Sequence, residues 1–175
     1  MDRSVPKGAA LILDFISGFE SRGRYDIVFG DHKIPKPITS MTVNELIAAQ
    51  RVWGRQWGSS AAGRYQIVRG TLEGLKKALK LTGTELFNAD LQDRLGYELL
   101  RQRGYGNFVA RKIGIITFGK KLAQEFASMP VLAPTQGAHR KVARGETYYA
   151  GDKLNRALVP PERVEALLAK VIAAA

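Results

Sequence analysis

The first regular pattern in the chain predicts an early helix that is central to the fold. Residues 4–6, Ser-Val-Pro, are typical of a helix start, because proline is tolerated in the first turn. Apolar residues then recur at helical spacing: Ile12, Phe15, Ile16 and Phe19. Since Leu11 and Leu13 widen this stripe, we expect the helix to be apolar on most sides and to end near Glu20.

The segment after this helix predicts a small β element. Residues 21–24 carry turn-forming Ser and Gly, and residues 25–29 contain the aromatic and β-branched side chains of a short strand. Gly30 supplies a second turn signal. We therefore expect the β element to lie between residues 25 and 67.

A capping box predicts a second helix and an open loop after it. Thr42 and Glu45 have the spacing at which two side chains satisfy each other's backbone amides at a helix start. This helix should fade before Gly54, where a polar and glycine-rich stretch begins. Small residues in that stretch, residues 54–67, let the backbone approach a ligand closely.

The rest of the chain is mainly helical in its periodicity. Thr71 and Asn88 are candidate caps of two helices, and further helices surround the apolar residues between 113 and 129. Residues 131–160 are irregular, and a last helix begins at Pro161 with an apolar stripe on one face.

These elements predict an α+β fold that is mainly α. We expect a single domain over residues 1–175, with a β-containing lobe over about residues 21–67 and a helical lobe formed by the remainder. A groove between two such lobes is where we expect a substrate to lie.

Charge and cysteine content narrow the class of protein. The chain has 27 Lys and Arg against 16 Asp and Glu, a formal net charge of +11, and no cysteine. The missing cysteines exclude disulfide scaffolds, thiolate zinc sites and cysteine nucleophiles. The positive charge predicts a polyanionic partner, which nucleic acid, an anionic membrane face and a bacterial cell wall all satisfy.

Glu20 is the residue that best fits acid catalysis. It follows Phe19 at the C-terminal end of an apolar helix, where the helix dipole and desolvation should both raise the pKa of its carboxyl. A carboxylic acid that remains protonated near neutral pH can serve as general acid in glycosidic cleavage. The alternative is a solvated residue that ends the helix, with Arg22 and Arg24 compensating its charge.

Asp26 is a possible second carboxylate. Many glycosidases place two carboxylates across the scissile bond, and a hairpin after the helix would bring Asp26 close to Glu20. Alternatively, Asp26 braces the turn by accepting backbone hydrogen bonds.

Other chemistries have little support in the sequence. His32 and His139 lack helix-spaced partners for a metal, and Ser59 and Ser60 have no nucleophile-elbow pattern around them. No nucleic-acid-binding motif fits the chain. The apolar run at residues 9–13 is interrupted by Asp14, so we expect no signal peptide and no membrane-spanning segment.

Several motifs together resemble the lysozyme-like superfamily, most closely its phage lambda-type endolysins. They are Glu20 at the end of the first helix, the Tyr-Asp-Ile-Val-Phe-Gly run at 25–30, the Ser-Ala-Ala-Gly-Arg-Tyr-Gln-Ile run at 60–67, and the order of motifs at 87–104 and 122–130. The likeness covers most of the chain up to Pro130. Residues 21–24 form a shorter connection than the lambda-type pattern leads us to expect.

The resemblance implies a two-lobed enzyme that cleaves the β-1,4 bond between N-acetylmuramic acid and N-acetylglucosamine in peptidoglycan. Glu20 would be the catalytic acid and base, acting alone in a lytic transglycosylase, or with Asp26 as a possible second carboxylate in a muramidase. Ser60, Tyr65 and Gln66 would bind substrate, and Arg64 is as well explained by a structural role. No metal and no cofactor are implied.

The implied partners are peptidoglycan glycan strands and the anionic bacterial envelope, with no specific nucleic acid. We expect a monomer, unless the chain is part of a virion. We expect it to stay in the host cytoplasm until it is released to the periplasm and cell wall, or to be associated with the virion. The alternative is a non-catalytic basic module of lysozyme-like fold that binds cell wall or nucleic acid in a virion.

Overall fold

A computed structural model describes residues 1–174, which form a mainly helical chain with one small sheet, as the sequence predicts. Two short 3₁₀ turns, Phe29–Asp31 and Ile38–Ser40, and an antiparallel pair of strands, β1 (Thr135–Gln136) and β2 (Lys141–Val142), accompany the helices. The helices are α1 (Lys7–Glu20), α2 (Val43–Trp57), α3 (Arg69–Ala78), α4 (Ala89–Gln102), α5 (Tyr105–Val109), α6 (Ile115–Glu125) and α7 (Pro161–Ala173).

Helix α1 has the buried stripe that its sequence predicts. Its fully buried apolar side chains include Ile12, Leu13 and Ile16, whereas Leu11 points to solvent and is 43% exposed. The helix ends at Glu20. No helix within residues 1–174 is long and apolar enough to cross a lipid bilayer.

The chain contacts divide it into two compact units. Unit 1 comprises residues 1–5 and 20–98, and unit 2 comprises residues 6–19 and the chain from residue 99 onward. The core of unit 1 is formed by apolar side chains of α2, α3 and α4 that are almost completely buried: Val43, Leu46, Leu72, Leu75, Leu91 and Leu95.

Local capping explains where the helices of unit 1 begin. The Thr42 hydroxyl accepts a hydrogen bond from the Glu45 amide at 3.2 Å, and the Glu45 carboxylate accepts one from the Thr42 amide at 2.8 Å, which confirms the capping box. The Asn88 side chain accepts from the Leu91 amide at 3.0 Å, which confirms the cap of α4.

Two helix boundaries in unit 1 differ from the prediction. Helix α2 continues past Gly54 to Trp57, because Trp53 is buried in the core and stacks on Trp57 with ring centroids 5.5 Å apart. Helix α3 begins at Arg69, so Thr71 does not cap it. The Ser60 hydroxyl instead accepts the Arg69 amide at 3.0 Å, which satisfies one of the first amides of α3 from the preceding loop.

The predicted strand at residues 25–29 is wrong. Within that stretch Val28 alone forms a bridge, to Ala62, and Ala62 also bridges to Ile67. The chain turns immediately afterwards into the Phe29–Asp31 3₁₀ turn with Gly30 at φ +67°, which prevents the pairing from extending. The regular β1–β2 pair lies in unit 2.

Residues 131–160 are mostly irregular, as predicted, but they contain the β1–β2 pair, which the sequence did not predict, and hydrogen bonds within unit 2 hold them in place. The Val131 amide donates to the Glu146 carbonyl at 2.8 Å, and the Gly145 amide donates to the Val131 carbonyl at 3.0 Å. The Thr147 hydroxyl donates to the Ala127 carbonyl at 2.9 Å. Helix α7 begins at Pro161 as predicted and buries Val164, Leu168 and Val171.

Close packing at Gly119 of α6 generates a stability prediction. A Cβ at this position would overlap the buried side chain of Leu132, so Gly119→Ala should destabilise the protein by about 1–3 kcal/mol. Gly74 of α3 is exposed, and a Cβ there meets nothing within 4 Å, so Gly74→Ala should stabilise by about 0.5–1 kcal/mol. Urea unfolding followed by circular dichroism measures both, and a Gly119→Ala variant as stable as the wild type would contradict the packing described.

Candidate active site

Glu20, which the sequence predicts to be the acid catalyst, is the last residue of α1. Its side chain is half-buried, and the last turn of α1 contains no basic residue. The chain then turns through buried Ser21 and two residues with left-handed backbone, Arg22 at φ +56° and Gly23 at φ +77°. This tight turn is why so few residues separate Glu20 from Tyr25.

Asp26 lies in an exposed ion-pair network. Arg24 Nε lies 3.3 Å from Asp26 Oδ1, and Arg24 Nη1 lies 3.2 Å from Asp31 Oδ1. The Asp26 side chain is 57% exposed. Arg24 therefore joins the two carboxylates on the surface of the turn, and the second-carboxylate role of Asp26 stays a prediction.

The loop that contains the predicted substrate residues is fixed to α2 by one buried amide. Gln50 Nε2 donates to the Ser60 carbonyl at 2.7 Å and to the Ile67 carbonyl at 2.8 Å. The two ends of the loop are thereby held to the same side chain. The half-buried Ser60 also accepts the Arg69 amide, so its hydroxyl joins the loop to α3.

Tyr65 and Gln66, predicted to bind substrate, make hydrogen bonds inside unit 1. Tyr65 is buried and its hydroxyl donates to Asp93 Oδ1 at 2.7 Å. Gln66 has a left-handed backbone, with φ +48°, and its Nε2 donates to the Gly63 carbonyl at 2.9 Å. Both contacts stabilise the loop, and glycan binding by either residue stays a prediction.

Asp93, which the sequence did not predict as a site residue, is the centre of a buried polar cluster. Its side chain is 1% exposed and accepts hydrogen bonds from the hydroxyls of Tyr25, at 2.9 Å, and Tyr65, and from the Asp2 amide at 2.7 Å. Arg64 Nη1 lies 3.8 Å from Asp93 Oδ1 and donates to the Tyr25 hydroxyl. We call Tyr25, Arg64, Tyr65 and Asp93 the Asp93 cluster.

The guanidinium of Arg64 lies near the rings of both tyrosines of this cluster. Its central carbon lies 4.8 Å from the ring centroid of Tyr25 and 5.8 Å from that of Tyr65, within the range of cation–π attraction. The side chain is 13% exposed, which supports the structural role considered for Arg64. Burial, followed by the hydrogen bond to Asp93, raises the pKa of the Tyr65 hydroxyl well above 10.0.

Gln92, beside Asp93 on α4, fixes the backbone of the same segments. Its Nε2 donates to the carbonyls of Tyr25, at 3.0 Å, and Phe87, at 2.9 Å, while its Oε1 accepts the Arg64 amide at 2.8 Å. Gly63 has φ +78°, and a Cβ there would overlap the Gln92 amide, so only glycine fits. The structure therefore brings together residues 25–28 and 62–67 around one face of α4.

Asp93 could have been noticed from its position among apolar residues. Leu91 and Leu95 mark the buried face of α4, and the polar residues Gln92 and Asp93 lie between them in the sequence. If such a helix is buried on more than one face, its polar side chains need hydrogen-bond partners inside the protein.

Within residues 1–174 no group of three or more His, Asp or Glu side chains could hold a metal ion.

Comparison with known proteins identifies one family. A family model described as Endolysin matches residues 20–151, a segment that begins at Glu20 and contains the whole Asp93 cluster. Searches of curated proteins and of solved structures find no significant match.

The Asp93 cluster predicts a large difference between two aspartates of α4. Asp93→Asn removes a buried charge that faces the largely enclosed Arg64, and should lower the free energy of unfolding by about 3 kcal/mol. Asp90→Asn makes the same change at an exposed position in the first turn and should cost about 0.3–1 kcal/mol through the helix dipole. Urea denaturation compares the two, and equal losses would show that Asp93 does not have the structural role assigned to it.

The raised pKa of Tyr65 predicts a loss of stability in alkali. The folded state holds the phenol proton more tightly than the unfolded state, so this stabilisation is complete below pH 10.0 and declines as pH rises above it. The unfolding free energy of wild type should therefore fall above about pH 10 more steeply than that of Tyr65→Phe, which lacks the titrating group. Parallel pH profiles for the two proteins would contradict the assignment.

Proposed function

Since the chain belongs to the endolysin family, a family of phage enzymes that degrade the bacterial cell wall, we propose that it cleaves the β-1,4 bond between N-acetylmuramic acid and N-acetylglucosamine with Glu20 as general acid and base. The position of Glu20 carries this proposal. Glu20 is a half-buried carboxyl at the C-terminal end of α1, in the negative field of the helix dipole, and the family match begins at this residue.

The proposed reaction needs one proton donor that becomes a proton acceptor. The Glu20 carboxyl gives its proton to the bridging oxygen as the glycosidic bond breaks, and the N-acetylglucosamine side leaves as an alcohol. The C6 hydroxyl of the muramoyl residue then attacks its own C1, and the Glu20 carboxylate takes the hydroxyl proton. The enzyme is restored, an anhydro ring closes on the muramoyl residue, and no water is consumed.

The environment of Asp26 favours this route over hydrolysis. In a hydrolase a second carboxylate positions or activates water within the site. Asp26 is mostly exposed and its Oδ1 accepts a hydrogen bond from Arg24, which holds it in the surface network with Asp31. We therefore assign cleavage to Glu20 alone.

The loop at residues 58–67 supplies the proposed substrate contacts. Tyr65 acts by positioning this loop, because its hydroxyl donates its hydrogen bond to Asp93. Ser60 and Gln66 are half-buried residues of the loop, and they are the proposed contacts to the glycan. The net charge of +11 attracts the protein to the anionic envelope in which this glycan lies.

Replacing Glu20 tests the proposal. Glu20→Gln should reduce glycan release from purified sacculi by at least ~100-fold, because the amide cannot donate and retrieve the proton. Glu73→Gln makes the same change at an exposed position of α3 and should retain full activity. Circular dichroism and urea unfolding check that both variants are folded. A folded Glu20→Gln protein with wild-type activity would refute the assignment, and a wild type that binds sacculi without releasing glycan would favour the non-catalytic binding module.

Replacing Asp26 separates the two chemistries. Asp26→Asn should keep most of the activity on sacculi, since the proposed route uses no second carboxylate. Asp31→Asn, which removes the other carboxylate bound to Arg24, controls for damage to the surface network. Loss of activity in Asp26→Asn but not in Asp31→Asn would show that Asp26 takes part in the reaction.

A further inference from the structure

A cavity lies in unit 1 between α2, the start of α3 and the loop that joins them. Its volume is about 500 Å³, which is within the range of small-ligand sites. Glu20, Asp26 and Asp93 are not among the residues that line it. The lining residues include Arg51, Arg55, Val68, Arg69 and Gly70.

Three arginines give the cavity a positive charge. Arg51 and Arg55 are exposed on successive turns of α2, and neither has an ion-pair partner among residues 1–174. Arg69 Nη1 lies 3.6 Å from the Glu73 carboxylate. Three positive charges thus face one negative charge, and these four side chains together carry a net charge of +2.

The positions of these arginines cost stability unless an anion is bound. Arg51 and Arg55 are four residues apart in α2, and like charges at this spacing destabilise a helix. Arg69 is the first residue of α3, where a positive charge opposes the helix dipole. The dipole favours only Arg55, which lies in the last turn of α2. An anion in the cavity would offset the repulsion among all three.

The start of α3 adds to the preference for an anion. The first turn of α3 contains no acidic residue, and Val68, which precedes it, makes no side-chain capping bond. The amide of Gly70, the second residue of α3, has no acceptor within the helix. Because Gly70 lines the cavity, an anion bound by the arginines would also lie near this helix end.

A phosphate monoester matches this site better than a carboxylate does. It has three acceptor oxygens and a charge of about −1.5 to −2 at pH 7, whereas a carboxylate has two oxygens and a single charge. Arginine binds phosphate through paired hydrogen bonds. The cavity is also larger than a phosphate ion, and Val68, which is 41% exposed, offers an apolar surface for the organic group of an ester.

We propose that this cavity binds a phosphate monoester, with the phosphate oxygens on Arg51, Arg55 and Arg69 and the organic group beside Val68. The ester is either a small soluble compound or the headgroup of a membrane lipid, since both present the same phosphate. Binding at this site uses none of the groups assigned to glycan cleavage.

Two matched pairs of variants test the site, with glycerol 3-phosphate as the probe and calorimetry on the full chain as the measurement. Arg55→Gln should weaken binding at least ~10-fold, because a charge-assisted contact to phosphate is lost. Arg156→Gln makes the same change in net charge at an exposed position in unit 2 and should bind as wild type does.

The second pair adds a negative charge to α3. A Cβ meets nothing within 4 Å at either Gly70 or Gly74, but only Gly70 lines the cavity. Gly70→Glu should weaken binding at least ~10-fold, because like charges oppose each other at the site, and Gly74→Glu should have a smaller effect. Urea unfolding checks that all four variants are folded.

Acetate at the same ionic strength is the control for a general preference for anions. Acetate should not compete with glycerol 3-phosphate. No binding of glycerol 3-phosphate, equal binding of acetate, or equal losses within either pair of variants would overturn the proposal. Glu20→Gln should bind glycerol 3-phosphate as tightly as wild type, so the result does not depend on whether the protein cleaves glycan.

Vesicles identify the source of the phosphate. Wild type is sedimented with phosphatidylcholine vesicles that contain phosphatidic acid, and with vesicles of phosphatidylcholine alone. Retention on the first vesicles that is lost in Arg55→Gln but not in Arg156→Gln would support the site and identify a lipid headgroup. Binding of glycerol 3-phosphate without retention would support the site and identify a soluble ester. Equal retention of the two variants would overturn a lipid headgroup as the ligand.

Discussion

The buried carboxylate of Asp93 imposes the constraint on which the candidate site depends. A charge enclosed in protein is tolerated only where a counter-charge and hydrogen-bond donors surround it, and two tyrosine hydroxyls, a backbone amide and Arg64 do so here. These groups come from segments far apart in sequence. Satisfying one carboxylate therefore fixes Tyr25, which follows Glu20 by a single tight turn, and Tyr65 in the loop proposed to contact glycan.

Gln92 and Gln50 extend the same principle to the backbone. Each is a buried amide that binds two carbonyls, Gln92 at Tyr25 and Phe87 and Gln50 at Ser60 and Ile67. Together they hold residues 25–28 and 60–67, which form isolated β bridges and no regular strand. Side-chain amides thus take the place of sheet hydrogen bonds in these non-helical segments of unit 1, and the close fit of Gly63 on Gln92 is part of this arrangement.

Local sequence signals predicted most of the helices. The features that were predicted wrongly or not at all depend on contacts between residues that are distant in sequence. The Thr42–Glu45 box, the Asn88 cap and the start of α7 at Pro161 depend on neighbours within one turn, so residue types were enough. The strand at 25–29 was wrong because its only pairing is with Ala62, and Gly30 redirects the chain. Thr71 does not cap α3, because the Ser60 hydroxyl of the preceding loop accepts the Arg69 amide at the start of that helix. Asp93 escaped notice because its burial depends on partners up to 91 residues away.

Glu20 was found from sequence because the end of an apolar helix is a local environment, and its catalytic role is the central proposal. Mass spectrometry of the fragments that wild-type protein releases from purified sacculi tests it most directly. Cleavage by Glu20 alone should give muramoyl ends closed as anhydro rings, lighter by one water than hydrolysed ends. Hydrolysed muramoyl reducing ends as the main product, or no released glycan, would contradict it.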